Sequence, residues 1–116
     1  MYERLFKLWY YTVTHGQMLL RSIGNDGTSN LDIYFGDVSY IEIPTKIDKI
    51  EILRTSQEDV NYITERIGSA DKKITVLLNE DRKYYVVSSV VNISENTLGM
   101  FELPFGIPNY KGEVKS

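Results

Sequence analysis

The sequence contains no cysteine. That removes disulfide staples, thiolate metal sites and thiol nucleophiles together. His15 is the only histidine, so a zinc site built from several His or Cys ligands is excluded as well. No apolar run approaches the ~18 residues that a spanning helix needs. The opening Met1-Tyr2-Glu3-Arg4 lacks the n-region, h-region and cleavage site of a signal peptide. A cytoplasmic protein with no membrane-embedded part is the default expectation. Neither sign of charge is in large excess: 13 basic residues are mixed with 16 acidic ones for a net charge of -3. The chain as a whole therefore has no general attraction for phosphate backbones or anionic lipid. A phosphate-cradling Gly-rich loop, a dinucleotide fingerprint and a Gly-X-Ser-X-Gly elbow are all missing.

What is present describes an ordinary globular protein. The 116 residues, 42% hydrophobic and 25% charged, are enough for one core and too few for two, so a single domain over 1–116 is expected.

Aromatic and β-branched residues fill Arg4 to Thr14 and predict a strand with bulk on both faces, with a helix as the alternative for its first half because Leu5, Leu8 and Trp9 also fit a helical stripe. His15-Gly16 interrupts it, and Gln17 to Ile23 resumes the pattern as the second arm of a hairpin. Gly24 to Asn30 has only turn chemistry. Leu31, Ile33 and Phe35 alternate with Asp32 and Tyr34, placing the first three inward and the last two outward. Gly36-Asp37 then breaks the pattern before Val38 to Ile43, whose change of phase suggests a β-bulge or a strand that changes partners. Pro44 ends that segment, and Ile50 with Ile52 marks a further short strand.

One helix is expected near 57–67. Thr55 with Glu58, or Ser56 with Asp59, can form its capping box; Val60, Ile63 and Ile67 make the apolar stripe, and Gly68 suits the closing turn. Lys73 to Asn79 and Lys83 to Ile93 read as a hairpin, followed by a turn at Ser94-Glu95-Asn96 and a strand from Thr97 to Leu103. The C-terminal stretch 104–116 reads as an irregular tail docked on the body. The fold class is thus mainly β (α+β): seven or eight strands in an antiparallel sheet curled into a barrel or two-layer sandwich, with one short helix.

Candidate chemistry is sparse. His15 precedes a glycine at a turn, where His is readily accommodated, and nothing nearby in sequence equips it as a general base. Asn25 to Asn30 with Asp32 offers oxygen ligands but lacks the spacing and the bidentate Glu of a calcium loop. Asp32, Asp37, Glu42 and Glu51 would form an acid/base pair only if the fold brought two of them together. Ser88-Ser89 lies inside a strand without an elbow. No catalytic residue, metal ligand or cofactor is assigned.

Surface chemistry is more suggestive. Arg4, Lys7 and Arg21 flank Trp9 and Tyr11 in the first hairpin, the basic-aromatic mixture with which barrels grip single-stranded nucleic acid. The negative net charge disfavours that partner. Tyrosine-rich surfaces and the tail residues Phe105, Ile107 and Tyr110 fit protein contact instead. The expectation is a non-enzymatic module that binds another protein or its own copy, of the type of a small acidic inhibitor or immunity protein, through Trp9, Tyr11, Phe105, Ile107 and Tyr110. The alternatives are a small-ligand pocket in the barrel, lined by Tyr and Val from Lys83 to Ile93, and single-stranded nucleic-acid binding.

Overall fold

The computed structural model describes residues 2–24 and 29–96. In chain order they form β1 (Tyr2–Thr12), β2 (Gln17–Ser22), β3 (Asn30–Glu42), β4 (Lys46–Leu53), α1 (Gln57–Ile67), β5 (Lys73–Asn79) and β6 (Arg82–Asn96). All pairings are antiparallel, and the strands close into a barrel in the order β1-β2-β3-β6-β5-β4. Closure settles barrel against sandwich. Among the described residues there are six strands: residues 31–35 and 38–42 belong to one continuous strand, and the expected strand from Thr97 to Leu103 lies outside the described residues.

That strand, β3, is continuous because it absorbs its own break. Asp37 adopts φ 55, and the register with β6 slips between Val38 and Tyr40. These irregularities let Phe35, Val38 and Ile41 all pack on the interior, which strict alternation would forbid. The bulged stretch is also latched from outside. Gly16, at φ 59 in the first hairpin turn, accepts the Val38 N–H through its carbonyl at 2.9 Å. A Cβ on Gly16 would stand 3.2 Å from the Val38 nitrogen, so both the conformation and the close approach call for glycine.

Two apolar clusters hold the molecule. Phe6, Met18, Leu20, Ile33, Phe35 and their neighbours fill the barrel interior. Outside it, α1 lays Val60, Ile63 and Ile67 against Ile74, Val76, Tyr85 and Val87. Strands β5 and β6 therefore bury both faces beside the helix, one on the interior and one on α1, which is why they carry bulk on both sides. Ser56 caps α1 by accepting the Asp59 N–H, and the Asp59 carboxylate accepts the Ser56 N–H in return. Gly68 closes the other end at φ 83. Of the two possible boxes, the structure uses Ser56 with Asp59. Among the described residues no helix is long and apolar enough to cross a membrane.

One expected turn is absent. Ser94, Glu95 and Asn96 continue β6, paired with Asp32, Leu31 and Asn30. Their polar side chains have strand partners: Ser29 donates to Glu95 at 3.1 Å, and Asn96 donates to Asp32 at 2.7 Å. The expected strand from Thr97 to Leu103 and the docked tail over 104–116 lie outside the described residues.

Candidate functional site

The β5–β6 hairpin turns tightly, with Asn79 opposite Arg82 and Glu80 at φ 59. Its arms are unequal, 7 residues in β5 against 15 in β6. The last β5 pair joins Lys73 to Ser88; beyond it, among the described residues, β6 is paired with β3 alone. This overhang exposes two large apolar side chains to water among the polar Ser89, Asn92 and Glu95. Val90 and Ile93 are 43% and 44% exposed.

Beside the overhang is a cleft of about 510 Å³, walled by Val91 and Ile93 of β6, the end of β4 at Ile52 and Leu53, and the start of β5. That volume falls within the range of binding pockets. Thr75, opposite Val86 and on the same face of β5 as Leu77, borders it. Thr75 is only 4% exposed, yet its hydroxyl has no hydrogen-bond partner among the described residues. A buried hydroxyl in that state is costly unless something completes it. Arg54 and Lys73, both exposed, are the charged residues of the lining. Neither forms an ion pair among the described residues. The cleft thus offers an apolar wall, a buried hydroxyl without a hydrogen-bond partner among the described residues, and two cations.

No family model, curated protein or solved structure matches this chain. Its function is argued from geometry.

The first hairpin looks different from its sequence. The β1–β2 register slips between Leu8 and Tyr10, so Lys7 stands opposite Arg21 but Tyr11 stands opposite Met18. Arg21 and Met18 lie on opposite faces of β2, so Lys7 and Tyr11 do too. Trp9 sits at the slip, half-buried, with the Arg21 guanidinium 5.7 Å from its ring centroid. Arg21 is fully buried and engages Asp32 through two bonds of 2.8 and 2.9 Å. Asp32 points outward as its alternation predicts, yet its side chain is completely buried. Arg4 donates to the Ser22 hydroxyl and carbonyl and to the Ser29 carbonyl. Two of the three cations flanking the aromatics are therefore engaged within the fold, and Lys7 is the one left exposed.

The four candidate carboxylates do not converge. Asp32 pairs with Arg21 and Asn96; Asp37 accepts from Ser89 at 2.6 Å and pairs with Lys72; Glu42 accepts from two phenols; Glu51 lies on β4 opposite Leu78. Ser88 is buried and donates to the Val90 carbonyl at 3.0 Å. His15 is exposed at the hairpin turn. Among the described residues no three His, Cys, Asp or Glu side chains are grouped as metal ligands. Most of the loop read for calcium, 25–28, lies outside the described residues, as do Phe105, Ile107 and Tyr110.

A second polar constellation joins α1 to the barrel. Tyr40 and Tyr62 donate to Glu42 at 2.5 and 2.7 Å, while Tyr85 and Lys83 donate to Asp59 at 3.0 and 3.1 Å. Tyr62 stacks on Tyr85 at 4.7 Å, and the Arg66 guanidinium covers the other ring face at 3.4 Å. Hydrogen bonding to Glu42, then burial, pushes the Tyr40 phenol up to about 12. Tyr62 is raised chiefly by the same carboxylate, and Tyr85 by burial and then Asp59. Burial acts to raise Asp59, but the bonds from Ser56, Lys83 and Tyr85 outweigh it and hold the carboxyl at about 2. The raised phenols of Tyr40, Tyr62 and Tyr85 and the lowered carboxyl of Asp59 are shifts that favour neutral tyrosines and a charged aspartate, so the arrangement serves as a clasp between α1 and the barrel.

Sequence reasoning missed Thr75, Arg54, Lys73, Val90 and Ile93 as a group. The signal available was the unequal length of the expected hairpin arms, 73–79 against 83–93, which leaves part of the longer arm without a partner from that hairpin.

Proposed function

We propose that this chain is a non-enzymatic protein-binding module that docks its partner along the overhanging edge of β6. The observation that carries the reading is the stretch after Ser88, paired with β3 alone among the described residues and exposing Val90 and Ile93. A strand edge presents a row of backbone donors and acceptors, and folds that avoid association blunt it with lysine, proline or a bulge. Residues 89–94 read Ser-Val-Val-Asn-Ile-Ser, with none of these side chains. An edge of this kind is suited to receiving an additional strand.

Tagged full-length chain should capture its partner from cells of its own source, and Val90→Lys with Ile93→Lys should abolish that capture while far-UV circular dichroism stays unchanged. A partner retained by the folded double variant, or no stoichiometric partner for the wild type, would remove the reading. A small apolar ligand is the second reading, favoured by the unsatisfied Thr75 hydroxyl beside the cleft. In that case the lysine substitutions at Val90 and Ile93 would leave partner capture irrelevant, and ligand binding would depend on Thr75.

A further inference from the structure

We infer that the segment received by the β6 edge is an extended, apolar stretch of a partner protein flanked by carboxylates, with one apolar side chain entering the cleft and the acids meeting Arg54 and Lys73. This rests on the edge reading above and names the chemistry of the occupant.

Four observations converge on it. The backbone requirement comes from β6, whose overhang has β3 on one side only among the described residues. The apolar requirement comes from the walls, Ile52, Leu53, Val91 and Ile93. The charge requirement comes from Arg54 and Lys73, exposed and without an ion pair among the described residues. The whole chain carries -3, which would suggest a basic partner. At physiological salt, however, charges beyond about 8 Å are screened, so the two cations bordering the cleft decide the local preference. Thr75 supplies the fourth contact: its buried hydroxyl, without a partner among the described residues, would be completed by a polar group of the incoming segment.

The test uses full-length protein and two fluorescein-labelled peptides. Each alternates threonine with valine and isoleucine; one ends in two glutamates, its twin in two lysines. The acidic peptide should bind about tenfold tighter than its twin at low salt, and Arg54→Glu with Lys73→Glu should reverse that order. Thr75→Val should weaken the acidic peptide about fivefold, and Thr75→Ser should restore it. Equal binding of the twins, or an unchanged order in the charge-reversed variant, would overturn the charge assignment while leaving the edge reading intact. Failure of both peptides to bind would overturn the inference.

Two further results would locate a failure. Hydrogen exchange on the free chain should find the outward-facing amides between Val90 and Glu95 unprotected. Strong protection there would show that the chain already covers this edge, and the edge reading itself would fall. Octanoate that binds with the same dependence on Arg54 and Lys73 but is indifferent to Val90→Lys would make the cleft a small-acid pocket and overturn strand addition.

Discussion

Arg21 and Asp32 sit across neighbouring strands with both side chains fully buried, joined by two bonds and braced by Asn96. Taking two charges out of water is expensive, and the attraction between them repays it only when the geometry is good and the remaining lone pairs are satisfied. Removing one partner therefore does more harm than removing both. Asp32→Ala should cost about 3–5 kcal/mol in urea unfolding, whereas Arg21→Met with Asp32→Leu should lie close to the wild type. Thr75 obeys the opposite logic. Its hydroxyl is buried without a partner among the described residues, so Thr75→Val should stabilise the free protein by about 1 kcal/mol in thermal unfolding. A variant gaining stability while losing peptide affinity would mark Thr75 as a residue held in place by binding.

At the scale of the element, α1 is tied to the barrel by one capping residue that also serves as an anchor. Asp59 closes the capping box with Ser56 and receives Lys83 and Tyr85 from β6. Ser56→Ala should cost about 1 kcal/mol. The folded Asp59 carboxyl, at about 2, lies below its ordinary 3.8, so the unfolded chain binds this proton more tightly. Its contribution to stability is complete above about pH 4 and is lost as pH falls toward 2. Tyr85→Phe removes one bond to the carboxylate and should move the acid unfolding midpoint, followed by circular dichroism, to higher pH. The phenols give the mirror image. Tyr40 is raised from 10.0 to about 12, so the stability it contributes is full below pH 10 and lost as pH rises toward 12. Absorbance titration of phenolate should show Tyr40, Tyr62 and Tyr85 ionising above the ordinary tyrosine range, and within it once the protein is unfolded.

For the whole molecule, closure is made by pairs remote in sequence: β1 with β4 across two intervening strands, and β3 with β6 across the helix. Such contacts must overcome loop-closure entropy before they contribute, so folding should be slow for the chain's size, in the millisecond-to-second range. The interior and helix clusters share β5 and β6, which couples them. Trp9 fluorescence and far-UV circular dichroism should therefore report one coincident urea transition. Separate midpoints for the two probes would show that the helix layer melts independently.

The sequence by itself determined local features. The turns at Gly16 and at Glu80, the bulge after Phe35, the capped helix at 57–67 and the inward set Leu31, Ile33 and Phe35 follow from period, turn chemistry and capping, which act over a few residues. The absence of cysteine and the single histidine also set limits that no fold could change. Only tertiary structure decided what alternation could not. A one-residue slip at Trp9 put Lys7 and Tyr11 on opposite faces, and a buried arginine from β2 made the outward-pointing Asp32 half of an ion pair. The candidate site lies between β4, β5 and β6, and its members Arg54, Thr75 and Ile93 are separated along the chain. Local patterns fix which way a side chain points along its own strand; which strands meet, and where one is left without a neighbour, is fixed by closure of the barrel.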